Sequence, residues 1–287
     1  MVRRVSMRVV ACAAALLASA LAAADAAAEP PAIRVVSFNT WLFPIAADDV
    51  ASRRERMGPA LDALAPDVLC LQELWDKGGV AALRGALRHR LPHGQIGGGG
   101  LAIASRWPIV DAHAQAYPHH ERLSFFERLS KKGFLAVVIA TPRGWLRVVT
   151  THLAFSRGPD RAAHRAQIEA LVEALAHDRR IPTVLCGDLN FRAIEGGVPS
   201  EDFAALRAIG FEDAAGTRPD ASGRWVARAP TRHGWPRTGP RRGGDPDYVL
   251  VRSGAARAIA VEDYHHALDD EASALSDHDA LVVDLAL

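Results

Sequence analysis

The sequence predicts a mixed-sheet α/β sandwich. Two patterns along its 287 residues support this prediction. Short apolar runs rich in Val, Ile and Leu interleave with amphipathic helical patterns, which is typical of α/β proteins. Several neighbouring runs have no helix between them, whereas parallel strands need a long crossover connection. We therefore expect mixed sheets rather than a purely parallel one.

The predicted strands are apolar runs with little alternation, as expected for strands covered on both faces. In chain order they are Ile33–Phe38, Val68–Gln72, Leu101–Ala104, Phe134–Ala140, Leu146–His152, Thr183–Gly187, Tyr248–Val251 and Leu281–Leu285. The turn sequence Pro142-Arg143-Gly144 joins the fourth run to the fifth. These two runs are therefore predicted to form a hairpin.

The clearest predicted helix begins at Asp160, a candidate N-cap. Its apolar stripe consists of Ile168, Leu171, Val172 and Leu175. Weaker helical patterns cover Val50–Leu64, Val80–Arg90 and Glu201–Ile209. We expect the first of these to break at Gly58-Pro59, because a proline removes a helical hydrogen bond.

Residues 1–28 have the pattern of a secretory signal peptide. Arg3, Arg4 and Arg8 precede an apolar run from Val9 to Ala24, and small residues of the A-x-A type follow. The run is short for a membrane span, so a cleaved signal is favoured over an uncleaved anchor. We expect a single mature domain over residues 29–287, secreted or periplasmic.

Composition and charge exclude several classes of protein. Hydrophobic residues make up 49% and charged residues 23%, the balance of a globular chain rather than a disordered one. Without residues 1–28 the chain has 31 basic and 32 acidic residues, which gives no support to a protein that coats nucleic acid by bulk charge. Cys70 and Cys186 lie inside apolar runs, and we expect free buried thiols, although export would permit a bond.

Groups that bind metals or transfer protons stand at the ends of the apolar runs. They are Asn39, Glu73, His152, Asp188 with Asn190, Asp247, and Asp277 with His278. Each one alone has an ordinary explanation, such as a helix cap or a turn residue. Because loops at strand ends of α/β folds converge on a shared crevice, the whole set predicts one functional site.

The donor types in this set favour phosphoester chemistry with a hard metal ion. Oxygen ligands such as Glu73, Asp277 and the Asn39 amide suit Mg²⁺ or Mn²⁺ rather than Zn²⁺. A histidine paired with a carboxylate is held in one tautomer with a raised pKa, and Asp247 is the candidate partner of His278. A metal, a base, hydrogen-bond donors and no obvious nucleophile describe the attack of water on a phosphoester.

At these residues the sequence resembles the endonuclease/exonuclease/phosphatase superfamily, and within it the secreted neutral sphingomyelinases. The matching segments are Ser37-Phe38-Asn39-Thr40-Trp41, Leu71-Gln72-Glu73, Thr151-His152-Leu153, Gly187-Asp188-Leu189-Asn190, Asp247-Tyr248 and Ser276-Asp277-His278. They follow the family's order and span nearly the whole mature chain. The segment from Gly99 to Ile109 and the Lys132-Gly133 pair also look like sphingomyelinases, although similar segments occur in other members.

The resemblance implies a DNase I-like four-layer α/β sandwich. Two packed mixed β-sheets are expected to be flanked by helices, with the site at one end. By the same resemblance Glu73 binds the metal, Asn39 supports that part of the site, and Asp277 binds the metal or positions the phosphate.

The resemblance also implies catalytic roles. Asp188 and Asn190 are expected to position the attacking water and the phosphate. His278, oriented by Asp247, is expected to be the general base, with Asp188 as the alternative base. His152 is expected to protonate the leaving oxygen or to stabilise the phosphorane.

The expected activity is Mg²⁺-dependent release of the head group of sphingomyelin or a related phospholipid. Peripheral contact with a membrane surface is expected, and no obligate protein partner is evident. The alternatives are a secreted nuclease or another phosphatase of the superfamily, with nucleic acid as one possible substrate, and a non-catalytic binding protein that keeps the fold.

Two segments have open interpretations. The stretch from Thr217 to Asp247 is arginine-rich, with two interleaved tryptophans, and is a solvated loop, a nucleic-acid groove or a lipid head-group contact. Its residues are Arg218, Arg224, Trp225, Arg228, Arg232, Trp235, Arg237, Arg241 and Arg242. The segment Tyr117 to Lys132 either rests on a membrane surface or packs down, and contains His119, His120, Phe125 and Phe126.

Overall fold

The structure of this chain, a computed structural model, describes residues 32–43, 47–118, 123–155, 158–226, 228–233, 244–269 and 274–287, without the side chains of Phe126 and Pro159. The predicted signal peptide, residues 1–28, lies outside the described residues. So do His119, His120, Trp235, Arg237, Arg241 and Arg242. Among the described residues, no helix has both the length and the apolar character needed to cross a membrane.

The first β-sheet, sheet A, has six strands in the order β13-β14-β1-β2-β4-β3. These strands are β1 (Ile33–Asn39), β2 (Val68–Gln72), β3 (His93–Ile96), β4 (Ala102–Ser105), β13 (Ala260–Ala267) and β14 (Ala280–Ala286). Strands β1 and β2 are parallel, and the other neighbouring pairs are antiparallel. Sheet A is therefore mixed, as predicted.

The second β-sheet, sheet B, has six strands in the order β11-β12-β8-β7-β6-β5. These strands are β5 (Ile109–Ala116), β6 (Gly133–Thr141), β7 (Gly144–His152), β8 (Thr183–Asp188), β11 (Glu212–Asp213) and β12 (Asp247–Arg252). Strands β7 and β8 are parallel, and β6 and β7 form the predicted hairpin. A separate two-stranded ribbon joins β9 (Ile194–Glu195) to β10 (Val198–Pro199).

Helices cover the outer faces of the two sheets. The helices are α1 (Val50–Ala63), α2 (Lys77–Leu87), α3 (Phe125–Leu129), α4 (Arg161–Ala176) and α5 (Glu201–Ala208), with a 3-10 turn at Gly158–Asp160. Apolar side chains of α1 and α2 pack on sheet A, and those of α4 and α5 pack on sheet B. The layers are helix, sheet, sheet, helix, which confirms the expected four-layer sandwich.

The main core lies between the two sheets. Val35 and Val68 of sheet A and Val148 and Val184 of sheet B are fully buried there. Cys70 and Cys186 face each other across this core as free, buried thiols. Because both sheet faces are covered, the runs that form them are continuously apolar.

The predicted break in the first helix is wrong, since α1 continues through Gly58 and Pro59. Pro59 lies on the exposed side of the helix, so the carbonyl that loses its partner faces water. Gly58 is buried, and a Cβ at its position would lie 2.6 Å from Ala86 Cβ of α2. The glycine therefore allows the close approach of these two helices.

Besides the two-residue β11, three edge strands were not predicted, namely β3, β5 and β13. All three are largely exposed and rich in polar side chains, so they lack the apolar runs used to predict strands. Asp160 does precede α4, but its side chain makes no capping bond. Its carboxylate instead accepts hydrogen bonds from the backbone N and Oγ of Ser124, at 2.7 Å and 3.1 Å.

Candidate active site

The polar residues singled out in the sequence lie at one edge of the two sheets. Asn39, His152 and Asp188 are the last residues of β1, β7 and β8, and Glu73 follows β2. Strands β12 and β14 run antiparallel to β8 and β1, so their first residues reach the same edge. Asp247 begins β12 opposite Asp188 in register, and His278 lies just before β14.

Asp188 is the central residue of the site. Its Oδ2 accepts a hydrogen bond from Asn39 Nδ2 at 3.0 Å, and the same amide donates to Glu73 Oε1 at 3.2 Å. His152 Nε2 lies 3.4 Å and His278 Nε2 lies 3.9 Å from that Asp188 oxygen. Asn39 thus bridges Glu73, which follows a strand of sheet A, and Asp188, which ends a strand of sheet B.

A buried carboxylate holds His278 from behind. Asp247 Oδ2 lies 2.8 Å from His278 Nδ1 and accepts a 2.6 Å hydrogen bond from Thr231 Oγ1. With Nδ1–H donated to Asp247, Nε2 faces Asp188. Burial opposes a charge on the imidazole, but Asp247, Asp277 and Asp188 outweigh it and raise the pKa of His278 to about 10.

Burial and a neighbouring lysine keep His152 neutral. Together they lower the pKa of His152 well below its usual range. Lys132 Nζ lies 2.8 Å from His152 Nε2 and 2.9 Å from Glu127 Oε2. With the lysine as donor, the ring proton is on Nδ1, which lies 4.0 Å from Glu73 Oε1 and has no hydrogen-bond partner among the described residues.

Asp277 lies beside His278 at the border of the site. Its Oδ2 accepts a hydrogen bond from Arg232 Nε at 3.1 Å. Its Oδ1 lies 3.7 Å from His278 Nε2 and is buried without a hydrogen-bond partner among the described residues. Asp277 therefore positions Arg232 and adds negative charge near the imidazole.

Asn190 supports Asp188 through its backbone. It has a left-handed conformation, with φ of 51°, and its N–H donates to Asp188 Oδ1 at 3.0 Å. Its side-chain Nδ2 donates to Leu153 O at 2.8 Å. The amide nitrogen is thus engaged with the backbone, while the N–H fixes the orientation of the Asp188 carboxylate.

Arg53 links two backbone loops next to the site. Its side chain is fully buried, and its guanidinium donates to the carbonyls of Thr40, Trp41 and Leu275 at 2.8–3.1 Å. It also lies 4.8 Å from the centre of the Trp41 ring. The loop after β1 and the loop before β14 are therefore held by one side chain.

Glu73 and Asp188 are the residues best suited to a divalent cation. Burial raises the pKa of Glu73, and burial together with Asp247 raises the pKa of Asp188 to about 7. Within ion-pair distance, their basic partners among the described residues are histidines. Ligand atoms of Glu73, His152 and Asp188 lie within 4.8 Å of one another. Such a largely buried, oxygen-rich set fits Mg²⁺ or Mn²⁺.

A cleft of about 190 Å³ opens above these residues. Its polar lining contains Glu73, Glu127, Ser130, Lys132, His152, Asp188, Arg232 and His278. Its aromatic lining contains Trp41, Phe43, Trp75 and Phe155. Phe43 and Trp75 are in edge contact, with ring centres 5.7 Å apart. The cleft thus combines acidic and cationic groups with an aromatic wall.

Sequence reasoning did not identify Lys132, Thr231 or Arg53 as site residues. Lys132 is noted only in the Lys132-Gly133 pair, and Arg232 only within the arginine-rich stretch. Lys132 stands directly before β6, so its position at a strand end was the available signal. Nothing in the local sequence distinguishes Arg53 from its exposed neighbours.

The described part of the arginine-rich stretch is not a uniform solvated loop. The Arg228 side chain is nearly fully buried, lies 3.3 Å from Asp213 and stacks 4.1 Å from the Tyr248 ring. Arg232 lines the cleft, whereas Arg218 and Arg224 are exposed. Two of these four arginines therefore serve the fold or the site rather than an outer surface.

Comparisons with known proteins agree with this arrangement. A model of the endonuclease/exonuclease/phosphatase family matches residues 36–278. The chain is 27% identical over 187 residues to inositol phosphosphingolipids phospholipase C of Schizosaccharomyces pombe. The aligned segment covers 60% of this chain and 43% of that protein. The chain spans less than half the length of the curated relatives it matches.

Two solved structures show the same fold. Sphingomyelinase C from Streptomyces griseocarneus superposes with a TM-score of 0.63 at 22% identity, covering 89% of this chain and 99% of that one. A mutant of beta toxin from Staphylococcus aureus with bound magnesium ions superposes with a TM-score of 0.64 at 16% identity, covering 88% and 99%. At these identities the likeness concerns the fold.

Proposed function

This chain belongs to the endonuclease/exonuclease/phosphatase family, and from that premise we propose that it is a divalent-metal-dependent phosphodiesterase that releases the head group of a phosphosphingolipid such as sphingomyelin. The observation that carries the proposal is the meeting of Glu73, Asp188 and His278 around one cleft. These groups provide metal ligands and a base, and no nucleophilic side chain is needed if water attacks the phosphorus.

Glu73 and Asp188 are proposed to hold the metal, with Asn39 bridging their carboxylates. Mg²⁺ is the proposed ion, because it prefers oxygen ligands and retains waters when few carboxylates bind it. When bound, such an ion polarises the phosphoryl oxygens and lowers the pKa of bound water. The magnesium ions in the beta toxin structure support this choice.

The attacking water is proposed to lie against Asp188 Oδ2 and His278 Nε2, which are 3.9 Å apart. Asp247 accepts a hydrogen bond from the Nδ1–H of His278 and so keeps that proton on Nδ1. Nε2 is then the atom that accepts the proton of the water. A metal ion bound by Glu73 and Asp188 would oppose a positive charge on His278, which would lower its raised pKa and favour the neutral base. Asp188 orients the water in this scheme.

The cations of the cleft are proposed to bind the phosphate. Arg232 and Lys132 both line the cleft and carry charges that match a phosphodiester. His152, held neutral beside Lys132, is suited to donate its Nδ1–H to a phosphoryl oxygen. Of its two expected roles, stabilisation of the phosphorane therefore fits these contacts better than protonation of the leaving oxygen.

The lipid head group is proposed to lie against the aromatic wall. Trp41, Trp75 and Phe155 line the same cleft as the metal ligands, and aromatic faces attract quaternary ammonium groups. The phosphosphingolipid relative and the sphingomyelinase C fold support this substrate class. A nuclease groove has less support, because the Arg228 side chain is nearly fully buried against Asp213 and is not presented to an outer surface.

The test is a substrate panel of sphingomyelin vesicles, phosphatidylcholine vesicles, plasmid DNA and bis-p-nitrophenyl phosphate, each with Mg²⁺ or EDTA. We expect release of phosphocholine from sphingomyelin that requires Mg²⁺. Glu73→Gln and His278→Ala should each lower the rate at least ~100-fold. The exposed Glu262→Gln is the matched control and should keep full activity. Nicking of plasmid without release of phosphocholine would favour the nuclease alternative.

Export of the mature domain is proposed from the pattern of residues 1–28. Expression of the full chain in a bacterial host, followed by fractionation and N-terminal sequencing, tests it. A mature protein outside the cytoplasm that begins near residue 29 is expected. A full-length protein retained in the cytoplasm would contradict this proposal without affecting the proposed chemistry.

A further inference from the structure

Exposed apolar side chains stand at the rim of the cleft, and two of them, Phe125 and Leu129, have no role in the proposed chemistry. Phe125 is 60% exposed, Leu129 is 50% exposed, and Phe155 is 44% exposed. Single exposed apolar side chains are ordinary, but several near one functional cleft indicate an interaction surface. The position of these three residues relative to the cleft is therefore informative.

Helix α3 has one face toward the cleft and another toward solvent. Glu127 is buried and lines the cleft, as does Ser130 just after the helix. Phe125 and Leu129, four residues apart, share a face and are both exposed. Phe155 belongs to the cleft lining and is also exposed. The apolar face of α3 is thus presented next to the cleft opening.

Two exposed cations neighbour this apolar face in the chain, and the Arg128 guanidinium lies 6.0 Å from the centre of the Phe125 ring. Arg128 and Lys131 are exposed and lie next to Leu129 and Lys132 in the chain. Apolar side chains bordered by basic ones match the phospholipid interface, where acyl chains lie beneath phosphate groups. A soluble substrate would not require Phe125, Leu129 or the two cations, since none of these side chains lines the cleft.

We propose that Phe125, Leu129 and Phe155, together with Arg128 and Lys131, form a docking surface that inserts into the interfacial layer of a phospholipid bilayer. The inference rests on the proposed function, because a lipid-cleaving enzyme must bring its cleft to the membrane. Docking through α3 places the cleft opening against the layer that holds the scissile phosphodiester.

The test compares Phe125→Ser/Leu129→Ser with Trp145→Ser. Trp145 is 62% exposed and lies near the start of β7, at the opposite end of the strand from His152, so it is a matched control. Binding is measured by flotation with sphingomyelin-free phosphatidylcholine vesicles in EDTA, so that turnover is prevented. Burial of the exposed half of each side chain predicts about fivefold weaker binding per substitution, or roughly 25-fold for the pair. Trp145→Ser should bind like the unaltered chain.

A second arm tests the charges. Arg128→Glu and Lys131→Glu should each weaken binding to vesicles containing phosphatidylglycerol at least ~5-fold, with a smaller effect on neutral vesicles. Hydrolysis of bis-p-nitrophenyl phosphate should be unchanged in all these variants, because none of these side chains lines the cleft. Unchanged flotation of Phe125→Ser/Leu129→Ser would overturn the docking surface. A dimer in gel filtration that the same double substitution converts to a monomer, with no change in vesicle binding, would also overturn it.

The flotation assay separates this inference from the proposed function. Vesicle binding that depends on Phe125 and Leu129, without hydrolysis of any lipid, would support the docking surface and reject the substrate. Hydrolysis of sphingomyelin with no dependence of vesicle binding on these two residues would support the substrate and reject the docking surface.

Discussion

Asp188 should make the metal-free protein less stable as the pH rises. Burial and Asp247 raise the pKa of Asp188 to about 7, from an ordinary value of 3.8. Below about pH 4 the Asp188 carboxyl is protonated in both the folded and the unfolded chain, so its ionisation has no effect on stability. Between about pH 4 and 7 the Asp188 carboxyl ionises in the unfolded chain but stays protonated in the folded one, which favours unfolding. Above about pH 7 the free energy of unfolding of the metal-free protein is therefore lower by about 4 kcal/mol.

The substitution Asp188→Asn tests this reasoning, because an amide has no charge to bury. The carboxylate accepts hydrogen bonds from Asn39 Nδ2 and from the Asn190 backbone, whereas an amide can accept only one of them. The lost bond costs about 1–2 kcal/mol at every pH. We therefore expect the metal-free variant to be less stable than the unaltered chain at about pH 4 and more stable, by about 2 kcal/mol, at about pH 8.

The assay is urea unfolding in EDTA across this pH range, followed by circular dichroism. The difference in the free energy of unfolding between Asp188→Asn and the unaltered chain should change sign at about pH 5. At that pH the cost of burying the ionised carboxylate equals the cost of the lost hydrogen bond. Added Mg²⁺ should stabilise the unaltered chain at pH 8 more than Asp188→Asn, since it compensates the buried charge. The exposed Glu262→Gln serves as the control. A variant that is less stable at every pH would refute the reasoning.

Three further predictions concern partners of the site. Asp247→Asn replaces the carboxylate that fixes the tautomer of His278 with a neutral amide, which can present a donor to Nδ1. It should lower kcat for bis-p-nitrophenyl phosphate by ~100-fold to 10⁴-fold with little change in KM. Lys132→Met leaves the buried Glu127 without its cation and should destabilise the fold by about 3–5 kcal/mol in urea, with Lys132→Met/Glu127→Gln recovering most of that loss. Asp279, the residue after His278, contacts His233 through one carboxylate oxygen at 2.8 Å and His266 through the other at 3.0 Å. Asp279→Ala removes both contacts and should lower the melting temperature by several degrees, as scanning calorimetry would measure.

The strands of the sandwich interior were predictable because their surroundings are simple. Strands β1, β2, β8 and β14 agree with the predicted ranges to within about one residue at each end. Both faces of these strands are covered, so a continuous apolar run is sufficient to identify them. The outer strand Ile109–Ala116 has most of its residues exposed, and its polar sequence is compatible with a loop.

The position of the site was predictable, but the pairing of its residues was not. Strand ends that carry Asn39, Asp188 and His278 indicate a common edge once the fold class is known. The neutral state of His152 depends on Lys132, twenty residues earlier, and on burial that only the folded chain creates. Likewise Thr231 reaches Asp247 from a loop whose path no local pattern specifies.

The distribution of ion pairs supports the proposed metal site between Glu73 and Asp188. Each protonated or permanent cation that lines the cleft has a carboxylate of its own. Lys132 pairs with Glu127 at 2.9 Å, Arg232 with Asp277 at 3.1 Å and His278 with Asp247 at 2.8 Å. Glu73 and Asp188 remain, and the imidazole between them is neutral. Two uncompensated carboxylates match the charge of one divalent cation. The metal-free instability expected from Asp188 and the affinity expected for Mg²⁺ therefore have the same electrostatic origin.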